Sequence, residues 1–439
     1  MKLPLIILAL SLHTMTIHGS IDASPEVFFK PAPLMPAEEV NDQLYPKGNL
    51  FPFSFYSVGG GPRDPSVKGG ATLLPEEEMQ AIFRDLTESG FQIVGPQYSL
   101  ASRVFDDAKA HQLKIIYSVG LEKKEFRAIG QEVLPIEEIA ARIRKDVTAL
   151  AENSSIVAWD LKPEELRPWR KNELDYLTLA VAAVRDADPL KRPIYHYCPG
   201  HYSAEGLAGI APHVDLLGKG MYTNYSSQKT SRVWCRWSVE QEVEAIRQSG
   251  SSAIPLALPE MFQQPDESEL SLIPDWVRHD VYLGLVSGAK GVLVFSLRQR
   301  TEFPAWRAYF DAYRQLGREL LKGEKLGQIF LFGEKRGELA VEIIKGPKTT
   351  SFVFPSANIK EPIVYPSISW ADIAHGNHRY LIAVNSSNEA CTAIISGFPY
   401  DAVKAETLFE SQPSFNIGEG EFETDFKPLE VKIYRFSRK

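Results

Sequence analysis

The chain has 439 residues, more than one ordinary core accommodates, so a large domain with a smaller companion is expected. Its 44% hydrophobic and 24% charged content is that of a folded globular protein, not a disordered or fibrous one. The formal net charge of −8 argues against nucleic acid as a partner, because phosphate binding needs clustered Lys and Arg.

In chain order, residues 1–23 read as a secretory signal peptide. Lys2 supplies the positive start, and "LPLIILALSL" is an apolar run too short to span a bilayer. Ala23 in "SIDAS" offers a cleavage residue, and no nearby Cys offers a lipid attachment point. No other stretch is long and apolar enough for a membrane helix. The expected product is therefore secreted or periplasmic, with no membrane span.

From about residue 51 to 322 short apolar runs alternate with amphipathic stretches. The predicted strands are 51–58, 91–95, 114–120, 155–161, 192–197, 214–222, 252–258 and 290–296. Helical spacing of apolar residues marks 75–90, 101–113, 136–152, 171–186, 239–249, 275–287 and 303–322, whereas the segment after the fifth strand makes a poor helix. Continuous apolar runs are strands buried on both faces, and their alternation with helices implies a parallel sheet. Eight such units fit a (β/α)8 barrel, expected over 51–328. The rival is an open doubly wound sheet. Against it, "VGGGPRDPSVKGG" after the first strand lacks both the GxGxxG and the GxxxxGK[ST] spacing. Residues 24–50, rich in Pro and Asn, are expected to wrap the barrel as an irregular lead-in. Beyond residue 329, "LAVEII", "TSFVF", "RYLIAVNSS", "CTAIISG" and "LEVKIYRF" predict a small antiparallel β-sandwich over 329–439. Cys198, Cys235 and Cys391 are too far apart for a zinc ribbon or a disulfide scaffold. A Cys198–Cys235 bridge and three buried thiols are both open.

In such a barrel the active site lies at the C-terminal ends of the strands. Glu164 and Glu165 follow strand four in "WDLKPEELRPW", and Glu260 follows strand seven in "IPLALPEMF". Tyr222 follows strand six, His196, Tyr197 and His201 lie at or after strand five, Gln97 and Tyr98 after strand two, and Ser296, Arg298 and Arg300 after strand eight. Two carboxylates facing each other across a barrel mouth suit glycosidic bond cleavage: one protonates the leaving oxygen, the other attacks the anomeric carbon or activates water. Their environments must separate the two pKa values. Trp159 and its neighbours offer flat faces for sugar rings.

A Glu after strand four, a Glu after strand seven and a Tyr after strand six resemble the clan A glycoside hydrolases, retaining (β/α)8 enzymes that include β-galactosidase-like and cellulase-like families. "HDVYLGLVSGAKGVLVFSL" (279–297) is similar to the last helix and strand of those barrels, and a trailing sandwich is common among them. The resemblance covers about 270 residues as architecture. It implies Glu164 as acid/base, Glu260 as nucleophile, Tyr222 as hydrogen-bonding support of the nucleophile, and no metal or cofactor. One position departs: the usual Asn before the acid/base is Pro163 here. That puts in doubt the contact to the neighbouring sugar hydroxyl, and leaves Glu165 as the alternative acid/base. The other glutamate would then pair with Arg167, Arg170 or Lys162.

Plainer readings stand beside these. Pro-Glu-Glu after a strand is a common helix start. Glu260 alone is an ordinary loop acid and Tyr222 alone a packing residue. His196 and His201 lack metal-ligand spacing, so they are structural or bind a sugar hydroxyl. Lys162, Lys219, Arg298 and Arg300 are either solvated and ion-paired or form a cationic rim for an anionic poly- or oligosaccharide. No GxSxG elbow occurs, which excludes that class of acyl hydrolase. The two functions to distinguish are a retaining glycoside hydrolase and a non-catalytic carbohydrate-binding protein on a glycosidase scaffold. Oligomeric state and the sugar are not legible.

Overall fold

The computed structural model describes residues 24–30, 42–62, 66, 72–97, 102–122, 125–126, 136–354, 361–400, 403–410 and 414–439. The expected signal peptide, and Tyr98 among the expected site residues, lie outside them. Among the described residues no helix is long and apolar enough to cross a membrane.

Eight parallel strands form the barrel: β1 (Phe53–Phe55), β2 (Ile93–Gln97), β3 (Lys114–Gly120), β4 (Ile156–Lys162), β5 (Ile194–Cys198), β6 (Leu216–Gly220), β7 (Ile254–Leu258) and β8 (Val292–Val294). From β2 to β8 each strand pairs with the next, and β8 pairs with β1. The remaining seam, between β1 and β2, is bridged by Ser54 Oγ donating to Gly95 O (2.6 Å) and by Ser57 N donating to Pro96 O (3.1 Å). Helices follow the strands: α1 (Glu76–Glu88), α2 (Ser102–Ala110), α3 (Ile136–Leu150), α4 (Lys171–Ala187), the short α5 (Ala204–Ala208), α6 (Trp234–Ser249), α7 (Ile273–Val286) and α8 (Trp306–Leu321). Each long helix turns an apolar stripe to the sheet; in α1 it is Met79, Ile82, Phe83 and Leu86. The barrel interior is filled by Tyr56, Ile93, Ile116, Ala158, Tyr195, Leu256 and Leu293, so it is a packed core and not a pore.

The C-terminal strands make an antiparallel six-stranded sheet, whose centre is Val431–Arg438, His378–Asn385 and Ile368–His375, facing a three-stranded sheet of Ala340–Lys345, Cys391–Ser396 and Glu421–Phe426. Leu381, Ile395, Phe398 and Phe436 fill the space between them. The sandwich docks on α7, whose residues are almost all buried because one side meets the barrel and the other the sandwich.

The lead-in segment differs from expectation. Pro25–Phe28 is a short helix whose Phe28 lies in the sandwich core, with the Arg379 guanidinium 4.2 Å above its ring. Leu44 and Leu50 join the apolar cluster inside the barrel. Apolar side chains in a Pro-rich segment thus go wherever a core accepts them, here two separate cores. All three cysteines are free and buried, so the Cys198–Cys235 bridge is not formed.

Candidate active site

The site starts at the end of β4. Tyr176 of α4 donates its hydroxyl to Lys162 O (2.5 Å) and accepts from Leu121 N (3.1 Å), tying the ends of β3 and β4 together. Gly120 stands between them at φ +111°, where a Cβ would lie 2.5 Å from Lys162 O, so this close approach requires glycine. The chain then leaves the strand, and Glu165 at φ +67° turns it so that neighbouring Glu164 and Glu165 both reach one cavity.

That cavity, about 690 Å³, opens at the C-terminal mouth of the barrel between the loops after β4, β5, β6, β7 and β8. Its wall includes Glu164, Glu165, Tyr197, His201, Tyr222, Tyr225, Trp234, Phe262 and Phe295. The Tyr197 and Tyr222 rings are stacked 6.4 Å apart at 17°, and Phe262 meets the Tyr222 ring at 5.2 Å. A concave, aromatic wall with a few carboxylates is the composition of a small-molecule site.

Burial, followed by the charge of Glu165, pushes the Glu164 carboxyl up to about 7. Both influences favour the protonated form. Beneath it inside the barrel, Asp160 accepts Ser118 Oγ–H (2.5 Å), and burial pushes it too up to about 7. Tyr56 and Tyr195 meet hydroxyl to hydroxyl at 2.5 Å in the same interior.

Glu260 follows β7 and is buried. Its Oε1 accepts the amide of Asn224 and its Oε2 that of Tyr225 (3.0 Å). Burial pushes its pKa up to about 7, opposed by these two amides and by the Arg232 charge. Two oxygens each accepting an N–H is the pattern of an ionised carboxylate. The amides come from the loop after β6, and that loop is fixed from behind. Arg232 donates Nη1 to Asn224 Oδ1 (3.2 Å), Nη2 to Thr223 Oγ1 (3.0 Å) and Nε to Asp280 Oδ1 (2.9 Å). Asp280 Oδ2 accepts Thr223 Oγ1–H (3.0 Å), and His279, next in α7, bridges Asp280 (2.8 Å) to Ser386 of the sandwich (2.9 Å).

The expected residues therefore separate. Glu164, Glu165, Tyr197 and Tyr222 share the cavity, with His201. Glu260 is not on its wall in this conformation, and the hydrogen bonds to its carboxylate come from the Asn224 and Tyr225 amides in the place expected for Tyr222. Trp159, expected as a sugar face, is fully buried; its Nε1 donates to Asp188 (2.8 Å) and Arg192 covers its ring. His196 is also fully buried, with Nδ1 against Leu161 O (3.1 Å). Gln97 is buried and donates to Val58 O (3.2 Å). Arg298 donates to Gly61 O (3.2 Å), away from the cavity wall. The cations expected to pair with a strand-four glutamate are engaged elsewhere: Arg167 and Arg170 with Glu173, Lys162 with Glu122. Lys219 is buried, 4.1 Å from the Trp237 ring centre and 3.1 Å from Ser238 Oγ, so it forms no part of a rim.

Sequence reasoning missed Tyr225, Trp234, Phe262 and Phe295 on the wall. Tyr225, Phe262 and Phe295 lie within five residues of a strand end, the signal that could have found them, whereas Trp234 opens the helix after β6 and carries no such mark. It also missed the Arg232–Asp280 pair, which no local spacing marks.

No protein-family profile and no curated protein sequence matches the chain. Solved structures do match in fold. An Anoxybacillus α-amylase aligns over 88% of this chain and 98% of its own, at 9% identity and a TM-score of 0.53. The Geobacillus thermoleovorans α-amylase, solved with acarbose, aligns over the same shares at 9% identity and 0.54. AmyP, solved with maltotriose, aligns over 89% and 97% at 10% identity and 0.55. The chain thus shares its overall fold with these solved structures, and the barrel with a trailing sandwich is the architecture expected from its sequence. At these identities the likeness is one of fold.

Proposed function

We propose that the protein is an exported glycoside hydrolase acting by a retaining, two-carboxylate mechanism. The observation that carries this reading is the different hydrogen bonding of two buried strand-end glutamates, both of which burial pushes up to about 7. Burial and the Glu165 charge favour the protonated form of Glu164, whereas at Glu260 two amide donors and the Arg232 charge work against burial and favour the charged form. Glu164 gives its proton to the leaving oxygen while Glu260 attacks the anomeric carbon. Glu164 then takes a proton from the water that displaces Glu260. Reaching the sugar requires Glu260 to turn from its amide cradle into the cavity. The described wall carries Glu164 and Glu165 and no Lys or Arg, so a neutral sugar fits it better than an anionic one. Arg300 stands 5.2 Å from the Phe262 ring centre and Lys219 5.4 Å from that of Trp234, both behind wall residues.

A second reading is favoured by one observation: Glu260 stands off the cavity wall with both oxygens engaged. It makes the protein a carbohydrate binder without catalysis.

The test is hydrolysis of a panel of aryl glycosides and neutral oligosaccharides by the wild type, Glu164→Gln and Glu260→Gln. The expected result is cleavage with retained anomeric configuration, seen by proton NMR of the first product. Glu164→Gln should lose about 10²–10⁴-fold in rate, and Glu260→Gln should abolish turnover. Full activity in both variants would sink the mechanism. Binding of sugars with no cleavage of any substrate would select the second reading.

A further inference from the structure

We infer that Trp169 is a sugar-stacking platform outside the cavity, and that the site takes a neutral oligo- or polysaccharide chain whose outer units run from His201 to Trp169. This rests on the carbohydrate reading of the cavity.

Trp169 lies in the loop after β4, five residues beyond Glu164, and its side chain is 63% exposed. Its loop is anchored. Tyr202 donates its hydroxyl to Leu166 O (3.1 Å), Glu173 takes both the amide and the Nε of Arg167 (2.8 Å each), and Pro168 packs close against Gly209. The indole is contacted by two neighbours and stays mostly exposed. The place a Cβ would occupy on Gly206 is 3.7 Å from its ring, and the Tyr202 ring centre is 5.2 Å away at 58°. A large aromatic held on a fixed loop with open ring surface is a costly way to finish a surface unless something covers it.

What would cover it is indicated by continuity. His201 stands on the cavity wall, and its ring centre is 4.9 Å from that of Tyr202. Tyr202 is itself buried, so it lies beneath and spaces two exposed rings, His201 on the wall and Trp169 beyond it. On the other flank Tyr225, also on the wall, is 66% exposed. A chain of sugars presents apolar C–H faces at each unit and hydroxyls at its edges, which matches spaced aromatic surfaces beside polar loops. Binding energy gathered at an outer unit is then available for work at the reacting one.

The experiment uses the full-length Glu164→Gln protein, with and without Trp169→Ala or Trp169→Tyr. It is titrated calorimetrically with neutral gluco-, manno- and xylo-oligosaccharides of increasing length. In the parent, affinity should rise with length. Trp169→Ala should lose roughly three- to tenfold for the longer ligands, leave the shortest ligand unchanged, and be largely rescued by Trp169→Tyr. Unchanged affinity of Trp169→Ala at every length overturns the platform while leaving the cavity reading intact. So does a dimer in sedimentation that Trp169→Ala disperses, since a second copy would then cover the ring. No binding of any of these sugars to any of the proteins overturns both.

Discussion

Glu164 and Asp160 lie four residues apart on the way out of β4, and burial gives both carboxyls a pKa near 7, with different consequences. Glu164 faces the cavity, so its proton is available to a ligand. Under the proposed mechanism kcat/KM should fall as pH rises through about 7, and Glu164→Gln should remove that limb of the profile along with the rate. A limb that persists in a residually active Glu164→Gln would assign the acid to another group. Asp160 faces the packed interior, where its proton bears on stability. Its folded pKa is raised from 3.8 to about 7, so the folded state holds a proton that the unfolded state releases. The resulting contribution to stability is complete below pH 3.8 and is lost as pH rises through about 7. Asp160→Asn keeps an acceptor for Ser118 without the charge. Its unfolding free energy relative to wild type should therefore rise between pH 5 and pH 8, by a few kcal/mol at most, measured by denaturant titration.

The loop after β6 works as an element because its polar groups are satisfied from behind. Asp280 accepts from Arg232 twice, from Thr223 and from His279, all inside the protein. A buried ion pair adds little beyond its desolvation cost, but removing one partner is expensive. Asp280→Ala leaves the Arg232 charge uncompensated against Trp276 and should destabilise the protein by about 3–5 kcal/mol in denaturant unfolding. Thr223→Val tests the same network more gently. It should keep the fold yet lower kcat more than it changes KM, because it loosens the amides that orient Glu260 while leaving the cavity wall in place. An equal effect on both constants would make Thr223 a structural residue only.

At the scale of the whole molecule, barrel and sandwich share one hydrophobic core. Ile373, Ile382 and Val431 of the sandwich belong to the same apolar cluster as Tyr282, Leu285 and Phe330 beside the barrel. Arg278 Nη1 donates to Val431 O (2.6 Å), and Gln228 Nε2 donates to Val353 O (2.9 Å) across the join. Interfaces of this kind couple the unfolding of their halves. Calorimetry should therefore show a single transition, and a chain ended near residue 328 should aggregate, because α7 would expose its sandwich-facing side. Two separate transitions, or a soluble truncated barrel, would show that the sandwich is an appendage.

Much of the architecture was legible in the sequence because burial on both faces leaves a local mark. The continuous apolar runs "KIIYSVG" and "IPLAL" are strands β3 and β7 almost residue for residue. The strand-end rule places Glu164, Tyr197 and Tyr222 at one mouth, and all three line the cavity there. What a side chain meets across the fold leaves no such mark. The segment "WDLKPEELRPW" begins and ends with tryptophan, and both ends are equally apolar. Trp159 is inside, where Asp188, 29 residues on, accepts its indole N–H; Trp169 touches Gly206 and Tyr202 yet stays mostly exposed. Likewise Glu260 was found by its place after β7, but its amide cradle and the Ser386–His279–Asp280–Arg232 support join four distant stretches of chain. Local spacing determined the elements and which residues stand at strand ends. Packing between distant elements decided which of those residues face the cavity and which are buried against a partner, since hydrogen-bond satisfaction and burial depend on neighbours that sequence order does not specify.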